Sequence, residues 1–378
     1  MVAIPQELID AIICELSIVA LKSCSLVASN FRVPSQRNLF HFARRLPKRD
    51  NYDAIHALME TSPHIASYIG HLEIHFPQHK HGVRLETLRQ ILAHLELRNV
   101  RQCDLVSSYL SQDFILRIVS PALVDFISRQ PLRKLGFIDT SDIPAALFLQ
   151  CLDAAPTFYL LSSYIDPNVK EGVTPWPQRR ILDRLELDTD SNSSAYKLLL
   201  QPELAQHIAN LRTLVVAVDS EWSRKFIAAV SPTIQHITFR HLADEERMEG
   251  YHFPVLQSVQ FDLPGWRPDC MHGLIASIMA SPVLAQITIT LGIARTLASH
   301  GAGGVSQLDL ALERHPRQPQ VTWRLSDSDV YITHMKMKDQ EQRFQEATAL
   351  LQINMPSAHA SGRLLVEKFE DEDVWYLD

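Results

Sequence analysis

The sequence predicts an α/β chain: a short N-terminal module of three helices, then an irregular solenoid with a parallel sheet and helices on one side of it. Three observations predict this. Three amphipathic segments fill the first 42 residues. Beyond residue 50 a short pattern recurs: apolar, two residues, apolar, one residue, apolar. Helix-like segments alternate with it, several closing on a proline turn.

The first helix opens at Ile4-Pro5-Gln6-Glu7, with Pro5 at the first helical position, where its missing N–H is no loss. Glu7 and Asp10 stand in the first turn, where the helix dipole favours negative charge. Leu8, Ile9, Ile12, Ile13 and Leu16 recur at helical spacing. The second helix opens at Ala20; Leu21, Cys24 and Ala28 share a face that Phe31 extends beyond its end. Pro34 opens the third, with Leu39, Phe40 and Ala43 on its buried side. Three short helices are too few to bury a stable core alone, so this much apolar surface suits a partner.

The recurring pattern lies at Ile69/Leu72/Ile74, Val100/Cys103/Leu105, Leu132/Leu135/Phe137 and Leu182/Leu185/Leu187. It returns at Leu211/Leu214/Val216, Ile234/Ile237/Phe239, Leu256/Val259/Phe261 and Leu284/Ile287/Ile289, with a weaker copy at Phe158/Leu161. The starts are 22 to 32 residues apart. Leucine-rich repeats have periods of about 20–29 residues and carry a strand with this signature. Between the strands lie helical segments at Leu85–Leu95, Phe114–Ile127, Ala145–Leu152, Ala195–Leu200, Phe226–Val230 and Met271–Met279. Gln130-Pro131, Ala155-Pro156, Ser231-Pro232 and Ser281-Pro282 set an extended approach to the next strand. Unequal periods argue for a distorted solenoid and against a closed barrel. After Leu291 the expectation is a loop at Gly301–Gly304, a helix at Ser306–Arg314, a strand at Gln320–Leu325, a helix at Gln340–Ile353 and a last strand at Leu364–Phe369. These serve as a terminal cap, and Glu370–Asp373 as a solvated acidic tail.

The residues Ile4-Pro5-x-Glu7-Leu8-Ile9, Leu21-Lys22-x-Cys24-Ser25-Leu26-Val27 and Arg37-x-Leu39-Phe40 carry a resemblance. This order resembles the F-box that begins many fungal proteins with irregular leucine-rich repeats, closely over residues 4–45 and by architecture thereafter. Two places depart from the pattern: the connection Ser17-Ile18-Val19 is short and apolar, and Asn30-Phe31 stands where the family often has a Trp. The resemblance implies an F-box module over residues 1–48 and a substrate-recognition domain over 49–378. It implies docking on a Skp-type adaptor, and through it on a cullin–RING ubiquitin ligase, by Ile4, Pro5, Leu8, Ile9, Ile12, Leu16, Leu21, Cys24, Val27, Phe31, Leu39 and Phe40.

Composition bounds the classes. The 378 residues can bury a large core, and 46% apolar with 21% charged is ordinary for a globular protein. A net charge of −7 argues against a nucleic-acid partner. The basic cluster Arg44, Arg45, Lys48 and Arg49 reads as a solvated boundary. Five widely spaced cysteines read as small buried hydrophobes in a reducing compartment. No signal peptide and no membrane span is evident. The expected location is cytoplasmic or nuclear, where the sequon Asn192-Ser193-Ser194 stays silent.

Motifs for chemistry are missing. His71, His75, His79 and His81 cluster, but divide between a strand and a loop, without the helical pair a zinc site uses. Gly301–Gly304 lacks the Lys-Ser/Thr of a phosphate loop, and no Gly-x-Ser-x-Gly elbow exists. Glu245-Glu246 and Asp188/Asp190 lie near turns as solvated acids. No cofactor and no metal is implied, and an enzyme is the least favoured class.

Trp176, Trp222, Trp266 and Trp323 follow or flank strands, where they could line a rim. Side chains alternate along a strand. This puts Glu73, His75, Lys134, Gly136, Glu186, Asp188, Thr213, Val215, His236, Thr238, Ser258 and Gln260 on the outward face. The expected protein-substrate site is Glu73, His75, Glu186, Asp188, Trp222, His236 and Trp266. The rival to a ligase subunit is a freestanding interaction solenoid without a ligase role.

Overall fold

The structure, a computed structural model, describes residues 4–43, 57, 60–76, 89, 92–93, 97, 99–107, 113–166, 182–187, 193–218, 220–242, 251–263, 270–292, 302–326 and 337–369. The chain forms two compact units, Met1–Leu182 and Asp183–Asp378. The expected boundary at residue 48 lies outside the described residues.

The first unit opens with α1 (Gln6–Cys14), α2 (Ile18–Val27) and α3 (Ser29–His41). Pro5 caps α1 from one position earlier than expected; its carbonyl accepts from Leu8 N and Ile9 N. Helix α2 starts at Ile18, two residues before the expected Ala20, because Ser17 caps it by accepting from Ala20 N at 3.4 Å. Helix α3 starts at Ser29, so Pro34 lies inside it. That position forgoes one intrahelical bond near the start, while Ala28 in extended conformation ends α2 and turns the chain. Ile9, Ile13 and Leu21 form the module's centre, with Leu16, Cys24, Phe31 and Leu39 packed against it.

The sheet of this unit is parallel, in the order β1 (Phe42–Ala43), β2 (His71–Phe76), β3 (Gln102–Ser107), β4 (Lys134–Ile138) and, beyond the short β5 (Ile143–Pro144), β6 (Thr157–Leu161). Register aligns Leu72, Cys103, Leu135 and Phe158 in one row and Ile74, Leu105, Phe137 and Leu160 in the next. All eight are buried. Helix α4 (Asp113–Arg129) and helix α5 (Ala145–Leu152) lie in the crossovers. Phe148 of α5 meets Phe158 edge-on at 5.5 Å, which puts that helix over the apolar face. The expected helix at Leu85–Leu95 lies mostly outside the described residues.

Two successive corners of this unit use one device. Asp139 after β4 and Ser162 after β6 both take a left-handed backbone, with φ of 50° and 48°. The next residue in each is a buried hydroxyl: Thr140 donates to Leu105 O and Ile138 O, and Ser163 donates to Leu161 O and accepts from Thr140 N. The chain then enters β5 and β7 (Ile165–Asp166), which pair in parallel.

The second unit is again a parallel sheet: β8 (Arg184–Leu187), β9 (Thr213–Val218), β10 (His236–Leu242), β11 (Ser258–Leu263), β12 (Gln286–Gly292), β13 (Gln320–Ser326) and β14 (Leu364–Phe369). Leu185, Leu214, Ile237, Val259, Ile287 and Val321 stand in one fully buried row. Leu187, Val216, Phe239, Phe261, Ile289 and Trp323 make the next, with Phe239 and Phe261 stacked at 5.3 Å. Trp323 is therefore core and lines no rim.

Helices α6 (Ser193–Leu199), α7 (Ala205–Ile208), α8 (Glu221–Val230), α9 (Cys270–Met279), α10 (Ala302–Arg314), α11 (Met337–Asn354) and α12 (Pro356–Ala360) fill the crossovers. Gly303 and Gly304 belong to the first turn of α10 and not to a loop. The buried Val305, Leu308 and Leu312 anchor that helix, and its first turn tolerates glycine. Helix α12 ends on Gly362 (φ 68°), whose N–H reaches His359 O while Arg363 N reaches Ala358 O.

Candidate functional site

Two surfaces are built from the residues the sequence singles out. The first is on the helical module. Helix α1 carries two apolar stripes side by side. Ile9 and Ile13 turn inward, while Ile4, Leu8 and Ile12, spaced by four, are 56, 55 and 53% exposed. On helix α2, Leu21 and Cys24 face the core, whereas Ile18, Val19, Leu26 and Val27 are exposed, interleaved with the exposed Lys22 and Ser23. Among the described residues, eight of the fourteen large exposed hydrophobics lie between Ile4 and Val33, which makes this the apolar surface of the chain.

The twelve residues implied as adaptor contacts divide here. Ile4, Pro5, Leu8, Ile12 and Val27 are exposed. Ile9, Leu16, Leu21, Cys24, Phe31 and Leu39 make the module's own core, and Phe40 is half-buried. Ile18, Val19, Leu26 and Val33 are exposed as well and are not among the implied contacts. Val19 and Leu26, seven positions apart on α2 and opposite Leu21 and Cys24, are the pair a helical wheel could have found.

The second surface is the outward face of the sheets. In the first unit it is closed by its own polar groups. Asp104, on β3, is buried and accepts from Tyr159 O–H and, at 3.2 Å, from Gln102 Nε2. His71 Nε2 lies 2.8 Å from its other oxygen. Glu73, in register beside Asp104, is likewise buried and hydrogen-bonds to His75. Tyr159 stands on β6 and must cross β4 to reach β3. It crosses at Gly136, where a Cβ would come within 2.1 Å of its ring. Burial, then the Asp104 charge, pushes the Tyr159 hydroxyl well above the usual phenol range, so it stays a donor. On the opposite face, burial first and Asp104 second push the Cys103 thiol up; burial does the same to Cys151. Lys134 is exposed beside this cluster.

In the second unit the outward face is more open and its charges are tied together. Arg240 Nη2 on β10 lies 2.8 Å from Glu186 Oε1 on β8. The register places β9 between them, so this pair spans Val215 and Ala217, both buried. Arg184 approaches Glu186 at 3.6 Å, and Arg240 approaches Asp262 at 4.0 Å. Gln260 donates to Asp262 at 2.8 Å. His236 Nδ1 is 2.7 Å from Ser258 Oγ at the entrance end of the strands. Thr238, Gln260, Thr288 and Thr322 form a half-exposed row of hydroxyls and an amide across four strands.

Trp222 is half-buried on α8, with Lys225 Nζ at 4.6 Å and Lys197 Nζ at 5.2 Å from its ring. Lys225 also pairs with Glu221 at 2.6 Å, and that hydrogen bond and charge hold the Glu221 carboxyl below its usual range. Asp188, Trp266 and Trp176 lie outside the described residues, as do His79 and His81.

No family model matches the chain, and no curated protein matches its sequence. Among the described residues no helix is long and apolar enough to cross a membrane, and no three metal-ligating side chains converge.

Proposed function

We propose that the chain is the non-catalytic substrate-recognition subunit of a Skp–cullin–F-box ubiquitin ligase. The N-terminal helices dock on the Skp-type adaptor, and the repeat sheet, above all the open face of the second unit, captures the protein target. The observation that carries this reading is the exposed apolar surface on α1 and α2, in the segment whose residues resemble an F-box. Such side chains gain about 1.5–3 kcal/mol each when a partner covers them fully.

Two neighbouring residues separate docking from folding. Leu8 is exposed and Ile9 is core. A Leu8→Asp/Ile12→Asp chain should stay folded by circular dichroism yet lose co-purification with a co-expressed Skp-type adaptor. Ile9→Asp should lose both. Failure of the wild-type chain to bind any such adaptor sinks the ligase reading and leaves the freestanding interaction solenoid in its place.

A further inference from the structure

The outward face of the second unit carries a row of charges that is its own complement. Register places Arg240, Asp262, Thr290, Arg324 and Glu367 side by side on β10 to β14. All five are half-buried. From β10 to β14 the row runs positive, negative, neutral, positive, negative. Half a turn about an axis along β12 reverses that order. Each charge then faces its opposite: Arg240 meets Glu367 of the second copy, Asp262 meets Arg324, and Thr290 meets Thr290. A two-fold contact needs this, because one patch must fit itself.

The rest of the face suits the same operation. The next row, Thr238, Gln260, Thr288, Thr322 and Leu365, has no charge, so the contact buries none without a counter-charge. A half turn about a strand keeps the strands of both copies aligned, as in ordinary sheet-on-sheet packing. Within the chain Arg240 lies 4.0 Å from Asp262 and Arg324 3.5 Å from Glu367. The side chains of Arg324 and Glu367 are still 40 and 43% exposed, so that loose pair has room for more bonds.

The patch spans five strands about 4.8 Å apart and about six residues of about 3.3 Å each, which gives about 480 Å² on each copy. Twice that falls below the range of about 1,200–2,000 Å² that stable complexes bury, and among transient ones. We propose that this face pairs with the same face of a second copy of the chain, as a weak two-fold dimer centred on β12. The dimer stands apart from the ligase reading. Only its consequence rests on that reading: the dimer hides the face proposed to hold the target, so target and second copy compete.

The test is sedimentation of the full chain over a concentration series, with no adaptor or target present, so its failure leaves the ligase reading standing. The wild type should move from monomer toward dimer as concentration rises. Arg324→Glu sets Glu against Asp262 at two places, and Asp262→Arg sets Arg against Arg324 at two places. Each variant alone should dimerise about tenfold more weakly, or less. In an equal mixture of the two variants every charge in the row again faces its opposite, so the mixture should dimerise at least as tightly as the wild type. Leu8→Asp/Ile12→Asp should dimerise like the wild type. Three results overturn the proposal: a wild type that stays monomeric at every concentration, a mixture no more associated than its two components, or a dimer lost in Leu8→Asp/Ile12→Asp. The last would place the contact on the apolar helices.

Discussion

Gly136→Ala is a one-methyl change with a large expected cost. The new Cβ would stand 2.1, 2.2 and 2.4 Å from Cε2, Cδ2 and Cζ of Tyr159. Atoms do not approach so closely, so the ring must move. It lies over β4, across which Tyr159 reaches Asp104, and moving it removes the Tyr159 hydrogen bond from a buried carboxylate. Overpacking costs about 1–3 kcal/mol, and a lost hydrogen bond to a charged group about 1.5–3 kcal/mol. A destabilisation of about 3–5 kcal/mol is expected from urea unfolding. Tyr159→Phe keeps the ring and removes only the hydroxyl, so it should show the hydrogen-bond part alone. Tyr159→Leu in the Gly136→Ala background should recover the overpacking part. A Gly136→Ala chain within about 0.5 kcal/mol of wild type would refute the ring-over-glycine geometry.

Leu214→Ala, in the middle of the buried row of the second unit, should cost about 2–5 kcal/mol in the same assay; a cost below about 1 kcal/mol would mean the row does not stack. Arg240→Ala should cost about 1 kcal/mol, because its pair with Glu186 is only partly shielded from water, and high salt should shrink the difference. Cys14 is exposed, whereas Cys103 and Cys151 are buried with thiols pushed up. A thiol reagent at neutral pH should modify Cys14 within minutes and the other two only after unfolding. Burial raises Tyr159 and Tyr251, so the stability each contributes is full below the ordinary phenol range and falls as pH rises above it. Tyrosinate absorbance near pH 11 should therefore lag behind the nine tyrosines until the chain unfolds.

The strand rows were legible because the signature marks residues with one environment. Leu72, Leu135, Leu185, Leu214, Ile237, Val259 and Ile287 all have apolar neighbours two residues on, and all are buried. The outward face was not legible in the same way. Alternation says which way Glu73 and Gly136 point, but not that Tyr159 would reach across β4 or that Arg240 would reach across β9. Those contacts join side chains two strands apart, 54 or more residues away in sequence, and no local pattern records them. Helix starts erred for a local reason: Ser17 and Ala28 set the boundaries, and the apolar spacing and Pro34 were weaker markers than the caps.

The same limit explains the helical module. Periodicity finds an apolar residue but not the neighbour it meets. Leu8 and Ile9 are equally apolar and adjacent, and a 100° turn separates core from surface. A helix whose apolar arc is wider than its own unit can cover must leave part of it facing outward. On α1 and the residue leading into it that part is Ile4, Leu8 and Ile12, and on α2 it is Ile18, Val19, Leu26 and Val27. The sheet faces show the opposite economy: charges such as Asp104, Glu73 and Glu186 are answered within the chain. Charge reversal at Glu186 would therefore disturb Arg240 and the two small residues beneath it before it disturbed any partner. In the half-exposed row of Thr238, Gln260, Thr288 and Thr322, Gln260 donates to Asp262, which leaves the threonines as the groups to test. A loss of target capture on changing Thr288 and Thr322 to Val, with stability intact, would locate recognition on the sheet; a loss only on changing Glu186 would trace to folding.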